Sequence, residues 1–310
     1  MDEFKDKPPV LVDIGASACI HAKWKDIAKW SICIAFDPDM REMDYIGKED
    51  KRFKKLYVFP DIVHESINGE IDFYLTASPQ CSSILRPDKE ALQPWYFAGL
   101  FELNDKKKFK SITLSHVLNK LAINHIDWFK ADSQGTDLRL FKSLEERIIK
   151  NITVAEFEPG LINSYIGEDK LWPLLKFMDT LNSFWISDVK IKGSQFFPAE
   201  LLKKYLSPFT SKLISSAVKS SPGWAEISYL NKMETVTERR QLLFAWITAM
   251  IERQYGFALY VADKGTKLQD NRIFSELITI TIKEFKKSSL NSGLLKKAFA
   301  KLFHMFKLRT

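Results

Sequence analysis

Three aspartates fall where chemistry is usually placed. LVDIGAS, residues 11–17, ends an apolar run in Asp13 and turns at Gly15. IAFDPD, residues 34–39, ends a second run in Asp37. IDWFKADSQG, residues 126–135, ends a third in Asp132, with Gln134 two positions on. Each stretch reads as a strand whose polar residues come last. In an open parallel sheet the carboxyl ends of the strands line the ligand crevice, so Asp13, Asp37, Asp132 and Gln134 are expected to face one opening.

The turn itself narrows the ligand. In a dinucleotide fold the first glycine makes the turn, the second admits the pyrophosphate and the third lets helix and strand pack closely. Counted from Gly15, the second position holds Ser17 and the third Ile20. The turn is kept but the other two tasks are compromised, which disfavours NAD. A cofactor without phosphates, carrying a small amino-acid tail, tolerates Ser17 better. Asp37 follows Gly15 at about the spacing at which such folds set a carboxylate on ribose hydroxyls, and its charge would repel a 2′-phosphate, disfavouring NADP. Asp13 either orders the turn or meets a cationic ammonium. The same residues also fit an ordinary βαβ unit whose acids cap helices.

Such residues need a scaffold, and the first half of the chain alternates strand-like with helix-like segments, the mark of an open α/β sheet. Strands are expected over 10–14, 31–36, 56–63, 71–78, 126–132, 152–159 and 184–190. Helices are expected over 18–29, 114–122, 138–150 and 171–181, with an irregular insertion over 79–110. From residue 193 long amphipathic segments dominate, with loops at 220–223 and 263–270. The expectation is an α/β domain over 1–192 and a helical C-terminal region over 193–310, packed on the sheet or separate from it.

Composition sets outer limits. The 310 residues, 45% hydrophobic and 13% aromatic, can bury a full core in one or two domains. Cys19, Cys33 and Cys81 have no CxxC spacing, so structural zinc and a disulfide framework are disfavoured and a reducing cytoplasm is expected. His64, His116 and His125 show no metal-ligand spacing, and no metal is expected. The N-terminus lacks the apolar stretch of a signal peptide, and the longest apolar run, 242–251, is too short to span a bilayer. Forty-six Lys and Arg against 39 Asp and Glu give +7, a weak lean toward anionic partners. The basic residues are scattered rather than set in a stripe with aromatics, so no nucleic acid is expected. The last stretch, GLLKKAFAKLFHMFKLRT, is a basic amphipathic segment that either lies on the anionic inner face of a membrane or docks on the protein's own core. No signal sets the oligomeric state.

LVDIGAS, IAFDPD, CSSILRP, the run from SITLSHVL to IDWFKADSQGTDLRLFKSL, and VAEFEPG together resemble the FkbM family of S-adenosylmethionine-dependent methyltransferases over roughly residues 10–190. The strand followed by K-x-D-x-Q-G and a Leu-rich helix is the most specific piece. The resemblance implies a Rossmann-like class I methyltransferase sheet, mostly parallel, with one antiparallel strand near its edge. It implies S-adenosylmethionine as cofactor and methyl transfer to a hydroxyl of a sugar, polysaccharide precursor or related metabolite. By matching position, Asp13, Gly15 and Ala16, with Ser17 beside them, form the loop at the methionine end. Asp37 binds the adenosine ribose, and Asp132 and Gln134 line the place where donor and acceptor meet. The chain departs from the pattern at Cys19, where the family usually has glycine, and at Ser17, often asparagine.

A sulfonium is already a good electrophile, so the remaining task is to align a nucleophile in near-attack geometry. A sugar hydroxyl gains from a base as its proton leaves. Asp132 is the first candidate, followed by Glu156 and Glu158, which share a face of their strand because side chains alternate with period two, so that one meets substrate at the strand end while the other binds a loop. His21 serves as a further base or only caps a helix. Ser82, Ser83 and Arg86, in CSSILRPD, either contact substrate and cofactor or bond to local backbone in a turn. Trp95, Tyr96 and Phe97 suit stacking on a sugar if exposed and simple packing if buried. A non-catalytic scaffold of the same fold and an RNA methyltransferase are the alternatives.

Overall fold

The computed structural model describes residues 3–17, 20–39, 41, 51–66, 69–211, 213–268 and 271–291. In chain order the strands are β1 (Val10–Ile14), β2 (Ile32–Phe36), β3 (Lys55–Phe59), β4 (Ile62–Val63) and β5 (Glu70–Thr76). They continue with β6 (Leu103–Ile112), β7 (Trp128–Ala131), β8 (Val154–Phe157), β9 (Phe184–Ser194) and β10 (Ser221–Asn231). Seven of them form the main sheet in the order β3-β2-β1-β7-β8-β10-β9. The pairs β3–β2, β2–β1, β1–β7 and β7–β8 are parallel, and β10 runs antiparallel to both of its neighbours. The fold is α/β and Rossmann-like, with one antiparallel strand next to the edge.

The central strands are apolar without alternation because both of their faces are covered. Every residue of β1 is buried. On one face Phe129, Phe141 and Phe157 form an aromatic triangle with ring centroids 5.2–5.9 Å apart. On the other, Trp24 and Trp128 meet at 5.9 Å, both fully buried.

Several expected elements resolve differently. The single strand expected over 56–63 is two: Pro60, lacking an N–H, ends β3, and β4 passes into a second sheet of order β4-β6-β5. The insertion over 79–110 holds most of β6, whose run DKKKFK is almost wholly exposed and so shows no apolar alternation. Its order comes from antiparallel pairing with β5. The helix expected over 138–150 breaks into Asp137–Lys142 and Glu146–Asn151, with Glu145 extended and the Ser143 hydroxyl donating to the Leu140 carbonyl at 2.7 Å. In place of a helix over 18–29 there are two 3-10 turns, Ala22–Asp26 and Ala28–Trp30, and residues 18–19 lie outside the described residues.

The division expected at 192/193 falls inside β9, and the compact units are Met1–Lys232 and Met233–Thr310. Ser221-Pro222-Gly223 reads as a loop yet opens β10, whose Ile227 and Tyr229 join the sheet's core. The second unit is helical, with Arg239–Ile251, Tyr255–Leu268 and Asn271–Asn291. Helix Tyr255–Leu268 occupies most of the loop expected at 263–270. The basic segment 293–310 lies outside the described residues. Among the described residues no helix is long and apolar enough to cross a membrane.

Within the second unit, Gly265 packs against the fully buried Phe274, whose ring an added Cβ would overlap. Glycine to alanine in a helix ordinarily gains about 1 kcal/mol. Here overpacking, costing about 1–3 kcal/mol, opposes that gain. Gly265→Ala is expected to lower stability in urea unfolding followed by circular dichroism, and an increase would show that this packing is loose.

Candidate functional site

The carboxyl ends of β1, β2, β7 and β8 and the start of β10 surround a cavity of about 550 Å³, within the first unit. That is ample for a small molecule, since ligand sites run to roughly 300–1,000 Å³.

The turn after β1 is fixed by crowding. Gly15 has φ +82°, and an added Cβ would overlap the Asp132 carbonyl oxygen at the end of β7. Both conditions exclude other residues. The Gly15 and Ala16 N–H groups donate to the Phe36 carbonyl at 2.9 and 3.1 Å, closing the turn onto β2. Asp13, 1% exposed, accepts from the His21 backbone N–H and from Lys130 Nζ, each at 3.1 Å. It therefore orders the turn, and the ammonium it meets is Lys130. Ser17 lines the cavity, Ala16 is buried, and Cys19 lies outside the described residues.

At the end of β2, Asp37 is 5% exposed and accepts from the Asp39 N–H at 2.7 Å. Burial pushes its carboxyl up to about 7, with the charges of Asp39, Asp132 and Asp13 adding and the Asp39 N–H opposing. Asp39 holds Arg41 through Nε at 2.8 and 2.9 Å. Arg41 reaches on to the Thr76 carbonyl at 3.1 Å and Ser82 Oγ at 3.0 Å.

At the end of β7, Gln134 Nε2 donates to Asp132 Oδ1 at 2.6 Å. Gln134 is held in a left-handed conformation, φ +56°, and Tyr165 Oη lies 2.9 Å from its Oε1 and 2.8 Å from the Cys81 carbonyl. The Asp137 carboxylate accepts from Ser133 N at 2.9 Å, Ser133 Oγ at 2.5 Å and the Glu158 N–H at 2.8 Å, joining the loops after β7 and β8. Burial pushes Asp137 up to about 6. Burial also raises Asp132 against the pull of Lys130, and raises Glu158, with the Asp132 charge adding. Burial alone would lower Lys130, but Asp13, Asp132 and Glu158 outweigh it and keep the ammonium charged.

Glu158 faces the cavity, and no hydrogen bond or ion pair joins its carboxylate to any described residue. Among the described residues six carboxylates line the cavity, those of Asp37, Asp39, Asp61, Asp132, Glu158 and Glu168, against one lysine, Lys130. Glu168 organises its own loop, accepting from Ser164 N at 2.6 Å and Lys170 Nζ at 2.7 Å.

The other candidates separate. Glu156 does not face the cavity: it lies beneath the sheet, within 2.7 Å of Lys23 Nζ, 2.8 Å of Trp128 Nε1, 2.9 Å of Ser228 Oγ and 3.2 Å of His21 Nε2. Burial opposes its ionisation, but His21 and Lys23 prevail and hold the carboxyl well below the usual range, so it is a poor proton acceptor. The two glutamates part because β8 ends at Phe157 and Glu158 lies beyond it. Arg86 is exposed, away from the cavity, with its carbonyl accepting from Ile166. Ser83 is buried, accepting from Leu85 N at 3.0 Å as the turn reading of CSSILRPD has it, and also donating to the Gln134 carbonyl at 2.8 Å across the site. Ser82, His21 and Phe97 do line the cavity, whereas Trp95 packs edge-on against Phe97 and Phe196.

Lys130, Asp137, Tyr165, Glu168 and Trp224 belong to the site but were not singled out from sequence. Lys130 alone carried a signal, as the first residue of K-x-D-x-Q-G. Comparison with known proteins gives no match to any family model, curated protein or solved structure.

Two outcomes follow from the charges. Asp37, near 7 when folded against 3.8 for the unperturbed group, favours the folded state fully below pH 3.8 and loses that contribution as pH rises through 7. Above pH 7 the burden is at most about 4 kcal/mol. Asp37→Asn, which keeps an acceptor for Asp39 N–H, is expected to raise the melting temperature more at pH 8 than at pH 5, and equal shifts would refute this. Glu156→Ala removes the acceptor of the fully buried Trp128 Nε1–H and is expected to lose about 1–3 kcal/mol in chemical denaturation.

Proposed function

We propose that the protein is an S-adenosylmethionine-dependent methyltransferase acting on a hydroxylated acceptor. The observation that carries this reading is the surplus of cavity carboxylates beside a glycine turn, a setting suited to a cationic ligand. The resemblance of LVDIGAS, IAFDPD and KADSQG to the FkbM family supports it from motif order, and the antiparallel strand beside the sheet edge agrees with what that resemblance implies.

The residues fit the donor. Among the described residues Asp37 Oδ2 accepts no hydrogen bond, leaving it for ribose hydroxyls. Gly15 keeps the loop close to the strand ends, and Ser17 lines the space beside it. When bound, S-adenosylmethionine supplies an electrophilic methyl group on a cationic sulfonium. Asp132, at the meeting point of β1 and β7, takes the proton of the acceptor hydroxyl. Gln134 fixes one of its oxygens, leaving the other for that task. Lys130 favours the ionised carboxylate while burial opposes it, which sets Asp132 as a base of raised strength.

Calorimetry with S-adenosylhomocysteine tests the reading. Folded protein is expected to bind it, with affinity rising and protons released between pH 6 and 8 as Asp37 ionises. Asp37→Ala is expected to weaken binding at least tenfold. Asp132→Asn is expected to keep binding but to lose about 10²–10⁴-fold in transfer of labelled methyl into fractionated cell extract. No binding by folded protein refutes the reading, and binding without transfer by the unaltered chain marks a non-catalytic scaffold.

A further inference from the structure

We propose that the acceptor carries a positively charged nitrogen, recognised by Glu158 beside the aromatic rings of Phe97 and Trp224. The inference rests on the donor reading above and names the class of molecule that shares the site. Across the sheet the strand order is β2, β1, β7, β8, β10. Asp37, Gly15 and Asp132 stand at the ends of the first three, and the donor takes that half. Glu158 follows β8, three strands or roughly 14 Å from the end of β2. The next strand brings Trp224 alongside it: Ala225 N donates to the Pro159 carbonyl at 3.1 Å, and Gly160 bridges to Trp224. Phe97 and Trp224 both line the cavity, with centroids 6.2 Å apart and planes 31° from parallel. The other half of the crevice is therefore a carboxylate set beside aromatic faces.

The charges favour a cation there. Asp13 is paired with Lys130, Asp39 with Arg41 and Glu168 with Lys170. Asp37, Asp61, Asp132 and Glu158 have no ion-pair partner among the described residues. The donor brings one net positive charge, from its sulfonium, ammonium and carboxylate together. Burial and the Asp132 charge hold Glu158 toward its neutral form, and a neutral acceptor would leave it so. An ammonium beside it would draw the carboxylate back to its charged form, and tryptophan offers the best aromatic face for that cation. The nitrogen serves recognition, and the methyl still passes to the hydroxyl.

The test uses the full chain saturated with S-adenosylhomocysteine and two probes of matched shape, 2-phenylethylamine and 2-phenylethanol, titrated by calorimetry. The amine is expected to bind at least tenfold more tightly. Glu158→Gln is expected to erase that preference while its affinity for S-adenosylhomocysteine stays within twofold, which also reports that the variant folds. Equal affinity for the two probes, a preference that survives Glu158→Gln, or no binding of either probe to loaded protein overturns the proposal while leaving the donor reading intact. Failure to bind S-adenosylhomocysteine itself removes the donor reading, and this proposal with it.

Discussion

The contact between the Gly15 turn and the Asp132 carbonyl oxygen governs the arrangement of the crevice. No side chain fits between them, so β1 and β7 end flush against each other. The same turn is stitched to β2 through the Phe36 carbonyl, which brings Asp37 to the same rim. Three strand ends are thereby locked at one level before any ligand is considered. The polar residues that follow them have nowhere to go but into a common space.

That convergence has an electrostatic consequence. Burial opposes the ionisation of carboxylates drawn together there, and their mutual repulsion adds to it, as the upward shifts of Asp37 and Glu158 express. Lys130 keeps the arrangement tolerable by meeting Asp13 and facing Asp132. Beneath the sheet Glu156 shows the opposite outcome. There a lysine, a histidine, an indole and a hydroxyl surround one carboxylate, and its charge is fully met. Two glutamates two residues apart thus live in contrasting surroundings, one satisfied by structure and one left facing a cavity.

Much of the sheet was legible because its strands are buried on both faces and announce themselves as short apolar runs, each closing on a polar residue. Val10–Ile14 was readable to the residue, and Asp37, Asp132 and Gln134 reached the cavity for the reason their positions gave. What escaped was order that leaves no apolar trace. β6 is a lysine-rich strand held by backbone pairing, and β10 begins with residues that ordinarily mark a loop. The division of the chain was misplaced for the same reason, since β10 returns to the sheet after a stretch of helices. Glu156 was misread because strict alternation was carried past the end of β8. Tyr165 and Glu168 come from a distant loop and Trp224 from β10, and only the folded chain brings them to the crevice.

Asp137 adds a mechanical consequence. One buried carboxylate fastens both Ser133 and the backbone of Glu158, so a single peg pins the two lips of the opening. Neither lip swings without dragging its neighbour.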